Sequence, residues 1–266
     1  MELQHILSEG ADGQYEVVTG PLPPLEAVDA LVATREIIFN IAAKHGLHAT
    51  LSPKPLPHQM GTALHTNISL TSTKKRDFTL GNNTPMNELQ GSFLQSLLDH
   101  LPAACAFTLS SPQSYSRSGD GVWSGGTWVC WGAFNRECPV RVCGSTAQDW
   151  RMEVRVCDAT GNPYLTTAAL LLAGILGVEK RVELTSGNIQ TQAALLTDEQ
   201  RAKLGIVHRL PQSVEQAIDT LKEDKEVCFG MGAELVTKYI STIELRRDRV
   251  QKMSDQEQRE WMARNY

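Results

Sequence analysis

Arg151-Met152-Glu153-Val154-Arg155-Val156-Cys157-Asp158, followed by Asn162-Pro163-Tyr164-Leu165, decides how this chain folds, because two periodicities meet there. Over 151–156 side chains alternate with period two, so Met152, Val154 and Val156 share one face of a strand and Arg151, Glu153 and Arg155 the other. Asn162 and Pro163 then change the period, since asparagine caps a helix and proline suits its first position. The apolar run at 164–178 is too short for a bilayer of about 30 Å and holds two threonines and two glycines, which reads as a buried core helix. A solvated antiparallel strand would alternate in the same way as 151–156, so the charged face is open to two readings at this point.

Working outward, residues 25–45 repeat apolar side chains at Val28, Leu31, Val32, Ile38, Ile41 and Ala42 and stop at Gly46, an amphipathic helix. Pro21, Pro23 and Pro24 end a strand at 14–19, and 48–51 reads as another strand. Thr84 and Pro85 start a helix through His100, with a separate apolar run at 103–109 beyond Pro102. A glycine-rich loop at 119–126 leads to strands at 127–131 and 140–143. Ser213 with Gln216, and Ser254 with Glu257, are spaced as capping boxes of peripheral helices. No repeat or low-complexity linker divides the chain. Strands mixed with helices, without regular alternation, make it α+β.

The 266 residues carry a formal net charge of -5, which offers no electrostatic footprint for nucleic acid. No transmembrane or secretory segment is expected. Six cysteines form no CxxC pair, which favours a reducing, cytoplasmic location. Cys138 and Cys143 flank an apolar run and read as strand residues rather than metal ligands.

Four segments combine polar residues in ways that core packing does not require. Glu9 and Glu16 bracket a glycine turn, where paired carboxylates can share a hard cation such as Mg2+ or Mn2+; a solvated turn has the same composition. Lys54-Pro55 precedes Gly61 and a stretch in which His65, Asn67 and Ser69 share one strand face, turned to solvent or to a site. Arg117, Arg136 and Arg141 alternate with glycine and aromatic residues, a pattern suited to bidentate carboxylate and phosphate recognition. The fourth is 151–165.

In order, these segments resemble the glutamine synthetase family: its GQxE region, its KP with GxxxHxxxSL, its SYxR, its NR with a following arginine, and its RxExR with NPYL. The match runs from about Glu9 to the end. The wording of 120–137 and 253–266 is most similar to the glutamine-synthetase-like domain of fungal developmental proteins. The resemblance implies an incomplete catalytic barrel of largely antiparallel strands with surrounding helices. It further implies one catalytic domain over 1–266 that lacks the family's amino-terminal domain and an earlier strand with two metal-ligating carboxylates.

It also implies roles. Glu9 and Glu16 match ligands of one divalent metal, with Glu9 beside the ammonium pocket, and His65 and Glu153 match ligands of a second. Gly61, His65, Arg117 and Arg155 match the glutamate site. Arg136, Arg141 and Arg151 match groups on the ATP phosphates, and Ser69 lies in the nucleotide segment; Arg136 and Glu9 carry the catalytic roles. The implied reaction is ATP-dependent joining of ammonium or a larger amine to the glutamate side chain, with Mg2+ or Mn2+. A homo-oligomer is expected only if the missing amino-terminal part is supplied.

Departures matter too. The family's loop glutamate is absent, since no carboxylate occurs at 121–136 and Trp123 or a neighbour takes its place. Asn67 replaces a usual histidine, and Gln148 a frequent lysine. The chain alone is therefore expected to make glutamine from ammonium very slowly or not at all. A non-catalytic glutamate- or nucleotide-binding or scaffold domain in fungal development, or a fragmentary gene model, are the alternatives.

Overall fold

The computed structural model describes residues 2–71, 86–122, 124–146 and 149–266. The chain opens with a hairpin, β1 (Leu3–Ser8) and β2 (Tyr15–Thr19), and a long helix, α1 (Pro24–Lys44). After a loop comes β3 (Thr66–Ile68), then α2 (Glu88–Thr108) and the short α3 (Pro112–Ser116). Three strands follow, β4 (Trp131–Ala133), β5 (Val140–Cys143) and β6 (Arg151–Val154), and then α4 (Pro163–Lys180). The rest is helical: α5 (Asp198–Lys203), α6 (Val214–Glu223), α7 (Lys225–Met231), α8 (Ala233–Val250) and α9 (Asp255–Asn265).

Among the described residues the strands form two separate sheets rather than one continuous barrel wall. The hairpin stands alone, and the second sheet has the order β3-β6-β5-β4. Pairing is antiparallel except for β4 with β5, which is parallel. The fold is thus α+β, mostly helical, with small mixed sheets.

Register explains what each face of the larger sheet does. Ile68, Met152, Val142 and Ala133 form one row across it, and Val154, Val140 and Trp131 belong to the next row on the same face. All seven are buried. The intervening row is Asn67, Glu153, Arg141 and Gly132, which places Arg141 directly opposite Glu153.

α2 is the central helix, with Leu94, Leu97, Leu98, Leu101 and Phe107 almost wholly out of water. It starts one turn later than the sequence suggests, at a capping box formed by Asn87 and Gln90. Thr84 and Pro85 lie outside the described residues. It also runs straight through Pro102 and absorbs the run at 103–109. An interior proline costs about 3 kcal/mol, and burial of these large side chains outweighs it.

α4, capped by Asn162 as expected, buries only one face: Ala169, Leu170 and Ala173 are inside while Ile175 is exposed. The strand expected at 48–51 does not form. Its polar groups are satisfied by the end of the chain instead, Leu51 N donating to Tyr266 O at 2.9 Å and Thr50 Oγ1 to the same oxygen at 2.7 Å. Of the expected strand at 127–131, only Trp131 joins the ladder, while Trp128 bridges to Arg209. The capping positions Ser213 and Ser254 are both used. No described helix is long and apolar enough to cross a membrane.

Candidate active site

Glu153 is the hub of the site. Its backbone sits in β6, its neighbours Met152 and Val154 anchor the core, and its own side chain, although charged, is only 6% exposed. A buried carboxylate survives only with partners, and this one has several. Arg141 approaches with Nε 2.8 Å from Oε2 and Nη2 3.0 Å from Oε1. Arg155 Nη1 donates to Oε2 at 2.9 Å. His65 Nδ1 lies 3.5 Å from Oε1. The solvated-strand reading of 151–156 therefore fails at its centre: Glu153 and Arg155 are as buried as core residues.

His65 is held to about pKa 4, first by burial and then by the positive charges of Arg155, Arg117 and Arg141, which outweigh Glu153. At neutral pH its ring is uncharged and carries a free lone pair, the form that binds a metal or accepts a proton.

Arg117 lies behind this group, also buried. It donates from Nη2 to Cys157 O at 2.9 Å, and its Nε faces Asp158 Oδ2 at 3.5 Å. Gly61 packs directly on it: a Cβ there would fall 2.6 Å from Arg117 Cβ and 2.9 Å from Pro53 O. No other residue fits that gap without displacing the arginine.

The carboxylate hairpin lies within electrostatic reach of the hub, Glu16 feeling both Glu153 and Arg141. Burial raises the Glu16 carboxyl above its ordinary value, and the rise is increased by Glu9, which shares a hydrogen bond with it, and by Glu153, against the pull of Arg141. Carboxylates in mutual repulsion are the arrangement a cation relieves. Among the described residues, however, no three His, Cys, Asp or Glu side chains come together as a ready metal cluster. The four expected ligands stand as two pairs, Glu9 with Glu16 and His65 with Glu153.

The remaining candidates sit at the margin. Arg151 is exposed and donates to Asn67 Oδ1 at 3.1 Å and to Asp149 O at 3.2 Å. Arg136 and Ser69 are exposed. The five arginines thus divide into two that are buried, Arg117 and Arg155, one that is half-buried, Arg141, and two at the surface. Trp123 and Gln148 lie outside the described residues.

Two features carried no sequence signal. Asp120 closes the base of the glycine-rich loop, accepting from Thr127 N at 2.8 Å and Thr127 Oγ1 at 2.9 Å, while Arg209 donates to Thr127 Oγ1 at 2.8 Å. The guanidinium carbons of Arg201 and Arg209 both lie 4.2 Å from the Trp128 ring centroid. The contacts of Arg201 and Arg209 span about 70 to 80 residues of sequence, and no local spacing announces them.

With this geometry in view, comparison with known proteins is decisive. The family model "Glutamine synthetase, catalytic domain" matches residues 1–266. The chain belongs to the glutamine synthetase catalytic-domain family. It is 36% identical over its whole length to Protein fluG of Emericella nidulans, covering 29% of that protein. It is 28% identical to Type-1 glutamine synthetase 1 of Dictyostelium discoideum, over 97% of this chain and 51% of that one. The chain thus spans about half the length, or less, of these relatives.

Among solved structures, a novel glutamine synthase homolog superposes with a TM-score of 0.83 at 29% identity, covering all of this chain and 60% of that one. A GmaS/ADP complex superposes with a TM-score of 0.80 at 24% identity, over 97% of this chain and 59% of that one, a likeness of fold.

Proposed function

We propose that this chain carries the glutamate- and nucleotide-handling part of an ATP-dependent amide ligase of the glutamine synthetase type, joining ammonium or a larger amine to the glutamate side-chain carboxylate. The observation that carries the reading is the meeting of the buried Glu153 with Arg141, Arg155 and His65. Fold stability does not call for three cationic or titratable groups around one buried carboxylate, whereas a site for anionic substrates does.

In this reading a glutamate carboxylate oxygen attacks the γ-phosphorus of ATP and ADP leaves. The amine nitrogen then attacks the acyl carbon, phosphate leaves, and the amine gives up a proton. Gly61, His65, Arg117 and Arg155 hold glutamate. Arg136, Arg141 and Arg151, with Ser69 nearby, receive the nucleotide, and Arg136 offsets charge on the transferring group. Glu9 faces the incoming amine.

The residues fit a divalent cation. Glu9 and Glu16 are hard oxygen donors in mutual repulsion, and neutral His65 beside Glu153 offers a second pair. Mg2+ is commonly held by one or two carboxylates together with substrate phosphates. When bound, such an ion neutralises phosphoryl charge.

A second reading has its own support, since both Glu153 oxygens are engaged by arginines and 121–136 contains no carboxylate to serve as base. In it the domain binds glutamate or nucleotide without turnover. The deciding assay supplies glutamate, ATP, Mg2+ and either ammonium or a larger amine, and scores amide and phosphate against Arg155→Ala. Ligase chemistry gives both products, lost in the variant. A raised melting temperature with ATP but no phosphate supports the binding domain.

A further inference from the structure

The hairpin that carries Glu9 and Glu16 has little hold on the rest of the molecule. Every residue of β1 is exposed, including the large apolar side chains Leu3, Ile6 and Leu7, and Tyr15 at the start of β2 is 68% exposed. Among the described residues, the side-chain hydrogen bonds that leave the hairpin are all at its turn. Gln14 Nε2 donates to Gly61 O and to Thr62 Oγ1, each at 3.1 Å. Asp12 N donates to Gln59 Oε1 at 2.6 Å, and Gln59 Nε2 returns a bond to Asp12 Oδ2 at 2.8 Å. Met60 lies close under Gly10, where a Cβ would strike its sulfur.

Gln14 differs from Gln59 in what it is rigidly attached to. Its Oε1 accepts from Ala11 N at 3.0 Å, its backbone N donates to Ala11 O at 3.0 Å, and its backbone O accepts from Glu9 N at 2.9 Å. Its donor and acceptor groups are therefore divided between the turn that holds Glu9 and the loop that holds Gly61. Gln14 also stands two residues before Glu16, immediately ahead of β2. At the far end, Gly61 is wedged against Arg117, and Thr62 N donates to Pro53 O at 2.8 Å, which closes the base of the receiving loop.

We propose that Gln14 is the positioning residue that registers the Glu9–Glu16 pair against His65 and Glu153, so that cation affinity on the hairpin depends on a side chain that is not itself a ligand. The proposal rests on the functional reading above. The Asp12–Gln59 bonds tie only the exposed tip of the turn, whereas Gln14 ties the residue just before the strand of Glu16 to the loop that holds Gly61. Outer partners of this kind typically change metal affinity about 10-fold to 100-fold.

The test uses the full chain with Mn2+ alone, titrated by electron paramagnetic resonance, beside hydrogen exchange without metal. Gln14→Ala should weaken Mn2+ binding at least about tenfold. It should also speed exchange at the turn and at residues 61–62 together, leaving α2 protected. Gln14→Glu keeps the length and one acceptor but loses the Nε2 donor at neutral pH, and should show the same loss, which covers a folding defect in the alanine variant. Wild-type affinity in either folded variant overturns the proposal and leaves the functional reading standing. Absence of Mn2+ binding in the unmodified chain overturns both.

Discussion

The β5–β6 hub and the β1–β2 hairpin each present carboxylates to the same site, yet they are built on opposite principles. Glu153 is carried by a strand whose alternate residues, Met152 and Val154, are fully buried, and its charge is met by fixed arginines. Glu9 and Glu16 are carried by a two-stranded sheet with an exposed β1, and their charges face each other. A core-anchored strand can hold an ion pair in place without a ligand. A hairpin tied down at its turn leaves Glu16 facing Glu9 with only the pull of Arg141 to offset their repulsion, and in the proposed function a cation relieves it. The contrast teaches that the hub is organised by folding, whereas the hairpin is the half we propose to be organised by ligand binding.

The strongest way to break that contrast is at the hub. Glu153→Ala leaves Arg141 and Arg155 packed together without their anion, and breaking a buried pair in this way costs about 3–5 kcal/mol. Urea denaturation followed by circular dichroism should show the midpoint fall by a corresponding amount. A loss below 1 kcal/mol would mean that water already compensates the arginines.

The pH dependence sharpens the same point. His65 is depressed to about 4 in the folded chain, so the unfolded chain binds the proton first as pH falls. Its contribution to stability is complete above about pH 6.5, the ordinary histidine value, and is lost progressively toward pH 4. His65→Asn should flatten that part of the stability profile relative to the unmodified chain. His100 has the opposite sign, because its Nδ1 meets Asp224 Oδ2 at 2.6 Å and its pKa is raised. Its contribution is present below the ordinary histidine value and fades as pH rises through the raised one, so the two histidines are separable in one titration series.

At the hairpin the expected effects are smaller. Glu9→Gln removes a like charge from Glu16 and should leave the metal-free chain unchanged or raise its melting temperature slightly, while weakening Mn2+ binding. A clear loss of stability would show that the hairpin is organised without a cation. Ile6→Thr, on the exposed strand, should change unfolding free energy by no more than about 0.5 kcal/mol. A loss comparable to Glu153→Ala would remove the distinction between the two regions.

Legibility in the sequence followed the range of the forces involved. The helices at Pro24–Lys44 and Pro163–Lys180, the strand Val140–Cys143 and the caps at Asn162, Ser213 and Ser254 were readable because period and capping act over a few residues. The break expected at Pro102 was misread because burial of a whole helix overrode a local preference, and 48–51 because the end of the chain satisfied its backbone.

For the site, the sequence by itself determined the residue types, their order and, through that order, the family. It also set the face on which Glu153 and Arg155 would lie, since strand alternation is geometric. Whether that face met water or closed into a site was decided by tertiary structure alone. Only packing could bring Arg141 opposite Glu153 across two strands, wedge Gly61 against Arg117, and hang the carboxylate hairpin on Gln14. The reason is physical: burial and the pairing of charges depend on neighbours 12 to about 90 residues distant in the chain, and no local pattern encodes which of them will arrive.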